Sequence, residues 1–298
     1  MAGSKSILSR RQRSKLIRFL ALLSMVRWYN ILAMAVALFL SATFILNSKS
    51  NWVHTLLDYR LHLAIAGMSF IIMAGYIINA FYDVEKDLVN NAKATIFGKH
   101  VSRGMSFNFY FLFNAVGIVL CGLVSWKVLI FNVAFVGVLW FYSHKLRKIP
   151  ILGELSATTL MITPFACLCL YYMMYNKSIV LYVGFIFAID ITREVVKKLE
   201  GLRGDIIYAY GSIVTLLGER QSKYVIYGLM LVTMALIVLL HPIVQHNAFI
   251  LAYLWAVVGT IVLAFIWLLS ARMPKQYSRV HLLYKLIISF AILSIAFI

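Results

Sequence analysis

Asn79, Asp83 and Asp87 stand four residues apart in the stretch Asn79-Ala-Phe-Tyr-Asp83-Val-Glu85-Lys-Asp87. On a helix of about 3.6 residues per turn this spacing drifts by only about 40° per step, so three oxygen-bearing side chains share one face. Like charges so placed repel each other, and a hard cation such as Mg²⁺ offsets them when phosphate oxygens complete its shell. The plainer alternative is a solvated helix end whose acids pair with Lys86 and Lys93. A second polar group, Arg193, Glu194, Lys197, Lys198, Glu200, Arg203 and Asp205, is predicted in a loop on the same side of the molecule. Mixed acids and bases there suit a metal and phosphate together.

The elements that must position these groups are long apolar runs. Of the 298 residues, 63% are apolar and only 13% charged, too little polar surface to wrap a soluble globule of this size. Runs of spanning length fall at 28–47, 61–82, 107–125, 127–143, 151–175, 178–196, 223–242, 247–270 and 279–298. This predicts an all-α polytopic membrane protein with about nine transmembrane helices, the third and fourth separated only by Ser125 to Lys127. The net charge of +18 is a matter of topology. With the N-terminus cytoplasmic, the Lys and Arg clusters fall on cytoplasmic segments, and only Lys49, Arg60, Lys127 and Lys177 remain outside. An odd number of spans then places Ile298 on the outer side of an inner or plasma membrane. No nucleic acid is needed to explain the basic surplus.

Residues 1–26 read as a basic cytoplasmic arm lying on anionic headgroups, and residues 27–298 as one transmembrane domain. Arg27 and Asn30 follow the short apolar piece Phe19–Val26 at once, which argues against a cleaved leader. Cys121, Cys167 and Cys169 sit inside apolar runs and read as small core residues. No histidine pair has zinc-site spacing, and no nucleotide-binding glycine pattern is present.

These residues resemble the UbiA superfamily of intramembrane prenyltransferases, whose members form a bundle of about nine helices around a central cavity with two aspartate-rich cytoplasmic loops. Asn79-x-x-x-Asp83-x-x-x-Asp87 is similar to the family's N-D-x-x-D-x-x-x-D motif, and Arg27-Trp-Tyr-Asn30 to its R-P-x-N segment. Tyr142-Ser-His-Lys145 with Pro150 to Glu154 resembles Y-S-x-x-K…P-x-x-G-N. Arg193-Glu194, Gly204-Asp205 and Gly218-Glu219 resemble the second loop. The closest likeness is to the branch resembling geranylgeranylglyceryl-phosphate prenyltransferases. Two departures stand out. Lys198 and Gly201 replace paired aspartates of the second motif, leaving Asp205, and Asn90 to Thr95 lacks the first loop's arginines, for which Lys93 and Lys99 are stand-ins.

The resemblance implies Mg²⁺-dependent transfer of a polyprenyl group from an allylic diphosphate to a lipid-precursor or aromatic acceptor. It assigns Asn79, Asp83, Asp87 and Asp205 to the metal. Arg27, Asn30, Lys93, Lys145, Arg193, Lys197 and Lys198 fall to the substrate phosphates, and Asp83, Asp87, Tyr142 and Lys145 to the chemistry. The partners implied are a polyprenyl diphosphate, a lipophilic acceptor and membrane lipids; oligomeric state is not legible. Two other readings stay open: a weakened homologue that binds polyprenyl lipid as a scaffold without turnover, and a transporter using Asp190 and Glu154, disfavoured by the lack of internal symmetry.

Overall fold

Polar residues that interrupt the apolar runs also cap the helices they separate. In a computed structural model of the chain, describing residues 10–47, 51–91 and 102–297, the side chains of Ser102, Ser125, Asn176, Ser212 and Asn247 each accept a hydrogen bond from a backbone N–H two or three residues into the next helix. Ser125 matters most. Its extended backbone ends one helix while its hydroxyl accepts from the Val128 N–H at 3.2 Å to start another, so the shortest predicted break is a true reversal.

The helices run in order as α1 (Arg10–Met25), α2 (Trp28–Leu40, continued by a π-helical turn Ser41–Leu46), α3 (Trp52–Leu57), α4 (Tyr59–Asn91), α5 (Arg103–Val124) and α6 (Trp126–His144). After a 3₁₀ turn at Leu146–Lys148 come α7 (Leu152–Tyr172), α8 (Lys177–Glu200), α9 (Leu202–Ile207), α10 (Ile213–Val244), α11 (Ala248–Ser270) and α12 (Pro274–Ser294). Among the described residues no strand occurs. Among the described residues, eight segments are long and apolar enough to cross a membrane. The ninth long helix, α8, matches them in length but carries Asp190, Arg193 and Glu194 near the end of its apolar stretch. The chain is therefore an all-α polytopic membrane protein of about nine helices. Phe111, Leu123, Ile130, Leu231, Val238 and Trp255 point outward, where lipid is the natural solvent.

Two apolar cores hold the bundle. One joins α2, α4, α5, α6 and α7 through Leu61, Met68, Ile71, Cys121, Phe135 and Leu168; the other joins α8, α10, α11 and α12 through Phe185, Ile189, Ile226, Val257, Tyr277 and Tyr284. The helix α2 contacts α4, α7 and α12 and so ties the two halves together. The last turn of α1 also packs inward, with Ala21 and Met25 buried near Ile77 of α4.

Helices α4 and α5 approach closely, and small residues permit it. A Cβ on Gly117 would lie 2.7 Å from the Gly67 carbonyl oxygen and 2.7 Å from Ile71, while one on Gly67 would meet the Cys121 sulfur at 2.6 Å. Gly117→Ala is expected to force the helices apart at a cost of about 1–3 kcal/mol. A lowered thermal unfolding midpoint in detergent checks this; an unchanged midpoint contradicts so tight a contact.

One sequence expectation needs correction. Arg193, Glu194, Lys197, Lys198 and Glu200 belong to the last two turns of α8 rather than to a loop. Glu194 and Lys197 pair at i, i+3, as do Asp190 and Arg193, and no breaking residue intervenes before Gly201.

Candidate active site

The first carboxylate is positioned by α4, where Asn79 and Asp83 fall on one face, and by the chain leaving α6. Ser143, in the last turn of α6, donates its hydroxyl hydrogen to Asn79 Oδ1 at 2.7 Å. The 3₁₀ turn that follows swings Arg147 back over the same face. There its guanidinium donates to Asn79 Oδ1 at 3.4 Å and forms an ion pair with Asp83 Oδ2. Asp83 is only 5% exposed, and its other oxygen, Oδ1, has no hydrogen-bond partner among the described residues. A buried carboxylate oxygen left without a donor is the kind of ligand a hard cation takes. Asp87 continues the same helix, but its side chain lies outside the described residues, as does all of Lys93.

The second group comes from α8 and α9. Asp190, Arg193, Glu194 and Lys197 form a chain of ion pairs, with Arg193 to Asp190 at 2.8 Å, Arg193 to Glu194 at 2.6 Å and Lys197 to Glu194 at 2.9 Å. Glu194 and Asp190 are nearly inaccessible, and the basic groups pair with both of them. Lys198, 9% exposed, reaches to 3.8 Å from Asp205 of α9, which is itself buried.

Short links join the two groups. Helix α9 packs against α4. The Tyr210 N–H donates to the Asp205 carbonyl at 2.8 Å, and its hydroxyl donates to the Tyr82 carbonyl at 3.2 Å, next to Asp83. The Gly211 N–H donates to the Lys148 carbonyl at 3.0 Å. A Cβ on Gly211 would lie 2.5 Å from that same oxygen, so the turn bearing Arg147 rests directly on backbone. Glu154, at the start of α7, accepts from the Ile213 N–H at the start of α10 at 3.0 Å. Three non-glycine residues at this end adopt positive φ: Arg27 at 52°, Ile151 at 68° and Ala209 at 52°. Strain of this sort survives only where surrounding packing over-determines it.

Of the residues singled out by sequence, Asn79, Asp83, Arg27, Asn30, Tyr142, Arg193, Lys197, Lys198 and Asp205 are brought to one end of the bundle. Arg147 lies within electrostatic reach of Arg27, Glu194 and Asp205, and Tyr142 within reach of Arg27, Asp190, Glu194 and Glu154. Lys145 is exposed, and Arg147, two residues on, faces Asp83 instead. Sequence reading passed over Arg147, Ser143, Tyr210 and Tyr76. The Tyr76 ring lies 5.2 Å below the Arg27 guanidinium, and its hydroxyl accepts from Asn30 at 3.4 Å. The signal for Arg147 was present as three basic residues in four, but nothing in the chain told which of them turns inward. Among the described residues no three His, Cys, Asp or Glu side chains gather into a ready-made metal cluster, so the acids here are shared with cationic neighbours.

Comparison with known proteins agrees with this architecture. The family model described as the UbiA prenyltransferase family matches residues 33–288. Digeranylgeranylglyceryl phosphate synthase of Methanobrevibacter smithii is 27% identical over 225 residues, covering 70% of this chain and 75% of that protein. The synthase of the same name from Korarchaeum cryptofilum is 26% identical over 203 residues, covering 65% and 70%. Among solved structures, a digeranylgeranylglyceryl phosphate synthase superposes with a TM-score of 0.68 at 18% identity, covering 94% of this chain and 97% of its own. A UbiA homologue from Archaeoglobus fulgidus bound to GPP and Mg²⁺ superposes with a TM-score of 0.64 at 15% identity, covering 93% and 99%. At these identities the structures establish the shared fold.

Proposed function

The chain belongs to the UbiA prenyltransferase family, and from that membership we propose that it transfers a polyprenyl group from an allylic diphosphate to a glycerol-phosphate lipid acceptor with Mg²⁺ as cofactor. The observation that carries this reading is the buried, partnerless Oδ1 of Asp83, held beside Asn79 and Arg147. The names of two relatives, digeranylgeranylglyceryl phosphate synthases matched over 70% and 65% of this chain, favour a glyceryl phosphate acceptor over an aromatic one.

Asn79, Asp83, Asp87 and Asp205 are the residues that would hold the metal. Bound there, it supplies positive charge to a departing diphosphate. The chain's own residues do the rest. Arg147, Arg193, Lys197 and Lys198 present cations to phosphate oxygens, and Arg27 and Asn30, braced on Tyr76, close the same end. The allylic C–O bond breaks with its electron pair on the diphosphate oxygen, and the acceptor hydroxyl oxygen bonds to the freed carbon as its proton passes to the departing diphosphate. Apolar helix faces behind the site keep water from the cationic carbon.

In place of the paired aspartates of the second motif, the chain carries its own ammonium at Lys198, close to Asp205. A fixed cation neutralises phosphate without coordinating it, which fits a site served by fewer metal ions. The distribution of Lys and Arg supports reading this end as the cytoplasmic side of an inner or plasma membrane.

Purified protein with a labelled allylic diphosphate and a glycerol-phosphate ether is expected to form labelled diether in Mg²⁺. Chelation should reduce transfer to background, and added Mg²⁺ should restore it. Activity indifferent to chelator overturns the metal reading, and inactivity with every acceptor favours a binding protein without turnover.

A further inference from the structure

The acid-lined end has a neighbouring pocket that the donor chemistry does not use. Between the C-terminal end of α8 and the first turns of α12 lies an open pocket of about 370 Å³, lined chiefly by Glu200, Lys275, Ser278, Arg279, His281 and Lys285. Its one carboxylate is already engaged, since His281 Nδ1 lies 2.8 Å from Glu200 Oε2 and Ser278 also hydrogen-bonds to Glu200. Among the described residues, Lys275, Arg279 and Lys285 form no ion pair within 4 Å. The pocket thus offers three cations against one occupied acid, an excess that suits a dianion rather than a neutral headgroup.

Position narrows the ligand further. Helix α12 packs against α8, the helix that supplies Arg193 and Lys197, and Lys285 lies within electrostatic reach of Arg193, Lys197 and Arg27. In a glycerol phosphate the nucleophilic hydroxyl and the phosphate sit on one three-carbon unit. A pocket that holds the phosphate must therefore adjoin the place where the allylic carbon is released. Lys275, Arg279 and Lys285 are all exposed along the pocket, and Lys285, one helical turn beyond His281, is the one within electrostatic reach of the donor's basic residues.

We propose that this pocket binds the phosphate monoester of the lipid acceptor, with Lys275, Arg279 and Lys285 as its cations and the Glu200–His281 pair as their brace. This rests on the reading that the protein transfers a prenyl group to a glycerol-phosphate lipid. The phosphate selects the acceptor, and its capture orients the adjacent hydroxyl toward the donor.

The test uses the full chain in nanodiscs and the double variant Lys275→Gln, Arg279→Gln, whose exposed positions make it safe for folding. With a glycerol-phosphate monoether as acceptor, the variant's acceptor KM is expected to rise about tenfold or more, while the donor KM stays within about twofold. Transfer to the dephosphorylated monoether should be equally poor in wild type and variant, and Lys275→Arg with Arg279→Lys should restore wild-type behaviour. An equal rise in both KM values, or none in either, overturns the assignment. An effect that appears in anionic nanodiscs and vanishes in neutral ones also overturns it, because it marks a site for bulk lipid. Equilibrium binding of the monoether phosphate alone separates this inference from the proposed reaction. If wild type binds it and the variant binds about tenfold more weakly, the pocket stands even where transfer is absent; if both bind alike, the pocket fails even where transfer is robust.

Discussion

Replacing Asp83 by asparagine is expected to lower prenyl transfer by at least about a hundredfold, the usual cost of removing a preorganised charge from the place where it acts. Asparagine keeps the shape of the side chain and so isolates the loss of charge. The same change leaves Arg147 without its buried counter-ion, and breaking such a pair destabilises by about 3–5 kcal/mol when the remaining charge stays buried. The two effects separate in a double variant. Adding Arg147→Gln removes the stranded cation and should recover much of the stability measured by thermal unfolding, while transfer remains at the Asp83→Asn level. Wild-type turnover in Asp83→Asn would falsify the placement of this carboxylate in the chemistry.

The second large effect is expected at Glu194. Its two oxygens hold Arg193 at 2.6 Å and Lys197 at 2.9 Å, and its side chain is almost wholly buried. Glu194→Gln leaves two cations on adjacent turns of α8 with only Asp190 to balance them. Because Lys197 is half-exposed and partly screened, the stability loss should fall near the lower end of the range for buried pairs, about 3 kcal/mol. The donor KM should rise about tenfold, since the phosphate-facing groups lose the anchor that fixes their geometry. Unchanged stability together with an unchanged donor KM would show that the cluster is a solvated helix end.

These expectations draw on information of two kinds. The apolar runs, the basic clusters and the four-residue spacing of Asn79 and Asp83 are properties of the chain taken in order, so the approximate number of long helices and the face that Asn79 and Asp83 share on α4 were legible without coordinates. Even the least obvious break, at Ser125, was written as a capping residue between two spans. The extent of α8 was less legible, because charge at its end reads as loop in a hydropathy profile. The ion pairs that let those charges continue a helix appear only once side chains are placed.

The pairing across helices lay beyond the sequence. Lys145, Arg147 and Lys148 are alike in charge and almost adjacent, and a single 3₁₀ turn after His144 decides that Arg147 meets Asp83 while Lys145 is left exposed. Tyr210 likewise links Tyr82 and Asp205 over a separation that no local pattern encodes. Hydropathy and periodicity are set by neighbours along the chain and reveal which faces are apolar or acidic. Which cation reaches which acid is set by rotation and close approach of packed helices, where a backbone contact such as that of Gly211 with Lys148 fixes the register.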